Sequence, residues 1–91
     1  MNLEYYRNFV TIVDCGTISA AASKLLIAQS ALSTQIKTLE KTYGTQLLVR
    51  NARSVTPTDA GQILYEKSRY LITENGHELF TDTNRTLIID N

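Results

Sequence analysis

Residues 20–44, AAASKLLIAQSALSTQIKTLEKTYG, constrain this chain more than any other stretch, because a short helical pattern, a break and a second helical pattern follow one another and the second has chemically opposite faces. Counted at about 100° per residue from Ser30, the large apolar residues Leu32, Ile36, Leu39 and Tyr43 fall within an arc of roughly 60°. The opposite side carries Ser30, Ser33, Thr34, Lys37 and Lys41. A stripe that narrow docks on one core. The far side, with small hydroxyls and lysines and no acid, suits the groove of a polyanion. An ordinary solvated helix would share this pattern, so the neighbouring segments must decide.

Upstream of the break, Ile18, Ala21, Ala22, Leu25 and Leu26 give a short apolar-faced helix with Ser19 as its expected N-cap. Small Ala21 and Ala22 let a second helix cross closely. The break at Ile27, Ala28 and Gln29 matches the turn of about three to four residues in a helix-turn-helix, although without the glycine often found there. Leu3, Tyr6, Phe9, Val10 and Val13 predict a bracing helix over about Leu3 to Cys15, with Gly16 as its C-cap. After Gly44, residues 46–50 and then Val55-Thr56 read as two very short strands around the polar tip Asn51-Ala52-Arg53-Ser54, forming a wing. Pro57 is expected to stop the second strand. Thr58 is expected to cap the last helix, with Asp59 at its positive end.

The chain has no net charge overall, yet the charge is unevenly divided. Residues 1–53 hold Arg7, Lys24, Lys37, Lys41, Arg50 and Arg53 against Glu4, Asp14 and Glu40, a net +3, and residues 54–91 carry a net −3. A basic head and acidic tail steer a molecule onto a phosphate backbone in one orientation. Arg50 and Arg53 on the wing fit that role, although plain surface charge would look the same.

The last helix, about residues 58–80, carries Ala60, Ile63, Leu64 and Leu71 in one apolar stripe and Tyr65, Ile72 and Leu79 in an adjoining one. Together they span nearer 200° than the roughly 100° that one packing contact needs. Ile63, Leu64, Tyr65, Leu71, Ile72 and Leu79 are therefore the expected dimerisation residues; the same excess would arise if the helix simply covered the first helix of its own chain. The helix is expected to hold to Glu74 and to weaken at Asn75-Gly76.

The ordered set Ala21, Ala22, Leu25, Gln29, Ala31, Leu32, Ser33, Gln35, Ile36, Leu39, Glu40, Gly44, Leu47, Leu48, Arg50, Arg53, Thr58, Ala60 and Gly61 resembles, in residue type and spacing over about residues 1–75, the N-terminal DNA-binding domain of LysR-type transcriptional regulators. The chain departs from that pattern at Ala28, where Ser or Thr is usual, at Ser30, where Pro is usual, and at Thr34, a position that is often Arg. Ser30 is left as a candidate helix cap.

The resemblance implies an all-α, mainly helical fold. It consists of a winged helix-turn-helix head at 1–57, a linker and dimerisation helix at 58–80, and a tail at 81–91 whose strand-like Thr86 to Asp90 would begin a ligand-sensing domain. With that domain missing, the chain is expected to be a truncated piece or a stand-alone head lacking an inducer site. It implies a sequence-specific transcription regulator acting as a homodimer on an interrupted inverted repeat of double-stranded DNA, with RNA polymerase as a further partner. Gln29, Ser30, Ala31, Ser33 and Thr34 would lie at or near base edges in the major groove, Lys37 near phosphate, with Arg50 and Arg53 on the wing; Arg53, at its tip, would enter the adjacent minor groove. The alternative is a protein-interaction module that pairs through its last helix with a full-length regulator and binds DNA weakly.

Enzymatic chemistry finds no support. The single cysteine and single histidine, Cys15 and His77, are far apart in the chain, with no glycine-rich phosphate loop, carboxylate cluster or Cys/His metal spacing beside them. No catalytic residue, metal or cofactor is expected. The lone Cys15 fits a reducing compartment, and with neither a long apolar run nor a signal-peptide pattern the expected location is cytoplasmic, away from membranes.

Overall fold

The computed structural model describes residues 3–71. Within them the chain forms α1 (Leu3–Cys15), α2 (Ile18–Leu25), α3 (Gln29–Tyr43), β1 (Leu48–Arg50), β2 (Val55–Pro57) and α4 (Asp59–Leu71). The expected fold class holds: a mainly helical unit with one small antiparallel ribbon, paired Leu48 with Pro57, Val49 with Thr56 and Arg50 with Val55. The expectations for residues 72–91, among them Ile72, Leu79, the weak point at Asn75-Gly76 and the strand at Thr86 to Asp90, lie outside the described residues.

The core is built where the helical stripes converge. Phe9 and Ile12 of α1, Ala21 and Ala22 of α2, Leu32, Ile36 and Leu39 of α3, and Leu47, Leu48 and Val55 of the wing form one buried cluster. The small alanines of α2 meet larger side chains from α1 and α3, which lets three helices close around a short element. Tyr43, the fourth member of the expected α3 stripe, departs from it. It is exposed, and its hydroxyl shares a 2.8 Å hydrogen bond with that of Tyr6 on α1. At the helix end a phenol fares better at the rim, where its polar tip finds a partner.

Two helix starts differ from expectation. The cap of α2 is Thr17, two residues before Ser19: its backbone is extended and its Oγ1 accepts from Ala20 N at 3.0 Å. Ile18 then opens the helix, and Ser19 lies inside the first turn. The cap of α3 is Ala28, whose side chain offers no hydrogen bond, so Ser30 is a helical residue and caps nothing. The turn between them begins at Leu26, which adopts the left-handed conformation (φ 60°, ψ 41°) and is 90% exposed. Leu26 therefore takes the place of the missing glycine, and Gln29 belongs to α3. Gly16 (φ 82°) ends α1 as expected, and Gly44 (φ 67°) caps the end of α3.

The wing is tied down at both roots. Glu40 on α3 accepts from Leu47 N at 2.8 Å and Leu48 N at 3.3 Å, and Val55 N donates to Gly16 O at 2.8 Å. Pro57 is the last residue of β2 and pairs with Leu48, a strand-end position where a missing N–H is tolerated. Thr58 caps α4, accepting from Gly61 N at 3.0 Å while donating to Gln46 O at 2.7 Å.

The face of α4 that packs inward is Ala60, Leu64 and Tyr65, with buried Gly61 and Ser68 between them. Ser68 Oγ is buried with no hydrogen-bond partner among the described residues. Gly61 is needed for clearance: a Cβ there would stand 2.0 Å from Leu47 O. The expected pair of stripes resolves differently. Tyr65 covers α1 of its own chain, its hydroxyl donating to Asp14 and its ring carrying Arg69 at 5.4 Å from the centroid. The hydrogen bond to Asp14 raises the Tyr65 pKa above its usual value, with burial adding to the effect. Ile63 points away from the core and is 58% exposed.

Candidate nucleic-acid interface

α3 presents its polar side because Leu32, Ile36 and Leu39 fix the other side in the core. Gln29, Ser30 and Ala31 form its exposed first turn, followed outward by exposed Thr34 and Lys37, while Ser33 is half-buried at the edge of that face. Gln35, between them in sequence, turns inward and accepts from Asn8 Nδ2 at 2.7 Å. Asn8 is 3% exposed, so this bond sets the rotation of α3 on α1 from inside the core.

The two wing arginines occupy different places. Arg53 is exposed in the loop 51–54, whose turn is held by Asn51 Oδ1 accepting from Ser54 N at 3.0 Å and Ser54 Oγ at 2.8 Å. Arg50, at the end of β1, reaches back to α3 and donates from Nη2 to Ser33 Oγ at 3.2 Å. Sequence reasoning placed both on the wing but missed this link, since no pattern relates positions 33 and 50. The wing and the start of α2 flank a cleft of about 290 Å³ lined by Thr17, Ile18, Ser19, Arg50 to Ser54 and Val55. Two arginines beside a helix N-terminus make that cleft electropositive.

Of the expected dimerisation residues, the structure leaves Ile63 outward, half-buries Leu64 against the core and engages Tyr65 with α1, and Leu71 is the last residue of α4. Tyr70, seven residues after Ile63 and thus on nearly the same side of the helix, is also exposed at 38% and was not foreseen. Among the described residues no group of His, Cys, Asp and Glu could hold a metal ion, and no helix is long and apolar enough to cross a membrane.

A helix-turn-helix braced by a third helix and followed by a two-stranded wing defines a winged helix-turn-helix domain whose second motif helix, α3, keeps an exposed polar side. The chain belongs to the lysR family of bacterial regulatory helix-turn-helix proteins, matched over residues 3–62, and its described part is a DNA-binding domain of that type. It is 50% identical over 74 residues to the nitrogen assimilation regulatory protein nac of Escherichia coli (strain K12), a match covering 81% of this chain and 24% of that protein. It is 37% identical over 90 residues to the HTH-type transcriptional regulator BenM of Acinetobacter baylyi (strain ATCC 33305 / BD413 / ADP1), covering 99% of this chain and 29% of that one. The chain thus spans about a quarter of the length of these curated relatives. Among solved structures, the BenM_DBD complex with catB site 1 DNA matches with a TM-score of 0.72 at 43% identity, over 75% of this chain and 76% of that one. The CbnR_DBD–DNA complex matches with a TM-score of 0.73 at 30% identity, over 76% and 79%.

Proposed function

We propose that this chain is the operator-reading head of a cytoplasmic transcription regulator, which sets α3 into the major groove of an interrupted inverted repeat as a symmetric homodimer. The carrying observation is the division of α3 into a sealed apolar side and an exposed side of Gln29, Ser30, Thr34 and Lys37, with the wing arginines alongside. The solved relatives bound to DNA support the same reading. In it, Gln29 reads an adenine through its amide, Lys37 and Arg50 neutralise phosphate, and Arg53 enters the flanking minor groove. Residues 1–57 act as the head and residues 58–80 as the pairing helix.

Exposed Ile63 supports dimerisation through the outer side of α4, with Tyr70 on the same side; Tyr65 serves its own subunit. Half-site centres would then lie about one helical turn, or a multiple of it, apart. A regulator held at a promoter in this way would meet RNA polymerase as its further partner.

Selection of binding sites from random duplex DNA, followed by fluorescence anisotropy, tests the proposal. The chain should prefer a selected duplex over a scrambled one, and Gln29→Ala should cost about 1–3 kcal/mol on that duplex and much less on random DNA. Failure to select any sequence, with pairing to a full-length LysR-type regulator instead, would replace this reading by the protein-interaction one. Ile63→Glu should shift the chain toward monomer in light scattering with its helical signal intact; a wild-type monomer at high micromolar concentration would refute the dimer.

A further inference from the structure

The hydroxyls of α3 are already partly engaged, and the engagement is not the same for each. Thr34 Oγ1 donates to Ser30 O at 3.0 Å, as Thr38 and Thr42 donate to the carbonyls four residues before them. A hydroxyl has one hydrogen, so a threonine bonded back to its own helix can offer an approaching base only lone pairs and its methyl. Ser33 stands the other way round. Arg50 donates to its oxygen, and a guanidinium has no acceptor capacity, so the serine hydrogen is left for something else. Among the described residues no acceptor takes it.

We infer that Ser33 and Thr34 read neighbouring bases with opposite and preset hydrogen-bonding sense: Ser33 gives a hydrogen to a base acceptor, and Thr34 takes one from an exocyclic amino group. Arg50 is the positioning residue that sets the sense of Ser33. In the major groove the acceptors are guanine N7 and O6, adenine N7 and thymine O4, and the amino donors are adenine N6 and cytosine N4. The inference rests on α3 being the major-groove reader.

The test uses the full 91-residue chain and its selected duplex, with base analogues placed at each half-site position in turn. 7-Deazapurines and 4-thiothymine remove or weaken an acceptor; unsubstituted purine and 2-pyrimidinone remove an amino group. One acceptor deletion should weaken wild-type binding about three- to tenfold, the range of a single hydrogen bond, and should leave Ser33→Ala unaffected. One amino deletion should weaken wild type similarly and leave Thr34→Val unaffected, while Thr34→Ser regains the sensitivity. Arg50→Met should erase the acceptor preference and leave the amino preference in place.

Loss of amino sensitivity in Ser33→Ala, or of acceptor sensitivity in Thr34→Val, would overturn the assignment. Uniform weakening by Arg50→Met with both preferences retained would reduce Arg50 to a phosphate contact and overturn its positioning role. If wild type selects no duplex at all, the major-groove reading itself fails, which is a separate outcome from wild-type selection with no analogue sensitivity at these bases.

Discussion

Replacing Gly61 by alanine sets two effects of opposite sign against each other inside α4. Gly61 lies in the helix, and it is not among the positive-φ residues, so the backbone itself would accept a side chain. Helix propensity alone favours the substitution by about 1 kcal/mol. The new Cβ, however, would stand 2.0 Å from Leu47 O, 2.9 Å from Leu47 C and 3.3 Å from its Cα, all backbone atoms that cannot rotate away. Relief requires α4 and the 46–48 segment to part by roughly an ångström or more.

That movement stretches Thr58 N to Leu47 O, now 3.0 Å, and Thr58 Oγ1 to Gln46 O, now 2.7 Å. Each is worth about 1 kcal/mol, overpacking adds about 1–3 kcal/mol, and after the propensity gain the net loss is about 2–4 kcal/mol. Urea unfolding followed by far-UV circular dichroism would read this as a lower midpoint with an unchanged slope. A midpoint equal to or above wild type would show that the contact yields cheaply and that the close approach of α4 to Leu47 is not what requires glycine.

Leu26→Asn should stabilise the fold by about 0.5–1 kcal/mol, since asparagine visits the left-handed region more readily and the 90% exposed leucine packs on nothing; unchanged or lower stability by the same assay would contradict this. Lys37→Ala should lower the steepness of log K against log salt by about one unit, with an unchanged slope removing Lys37 from the phosphate contacts. Burial and the bond to Tyr43 push the Tyr6 pKa up to about 12 from 10.0. Because the folded value is the higher, its stabilisation is full below pH 10 and is lost as pH rises toward 12. Tyr6→Phe should flatten the loss of stability across that window, followed by circular dichroism with 295 nm absorbance reporting ionisation, and an identical loss in the variant would remove Tyr6 as its source.

The helices, the wing and the Thr58 cap were legible because each rests on local chemistry: apolar spacing, a glycine after a helix, a hydroxyl before one. The misplaced caps of α2 and α3 show where local rules compete. Thr17 and Ser19 are both capping residues, and only the extended backbone at Thr17 decides between them. At α3 no capping side chain is used at all, and burial of Leu32, Ile36 and Leu39 holds the helix in its place. The partners that were missed are distant in sequence: Asn8 with Gln35, Ser33 with Arg50, Glu40 with Leu47 and Leu48, Tyr65 with Asp14. A hydrophobic pattern says which side of a helix faces inward. It does not say which polar group waits there, and so the width of the α4 arc could not separate a partner subunit from α1 of the same chain.

Glu40 lies off the polar face of α3 and governs how that face and the wing are held relative to one another. It belongs to α3, yet its carboxylate grips the root of the wing, while Val55 ties the other strand to Gly16. Helix α3 and the 51–54 loop are thereby joined at a fixed angle, as two arms of one rigid piece. On the proposed reading, the number of base pairs between what α3 touches and what Arg53 touches would then be a constant of the protein, the same at every operator. If the chain pairs as proposed, variation among operators would be taken up in the spacer between half-sites, by bending of the DNA or by the way two α4 helices meet.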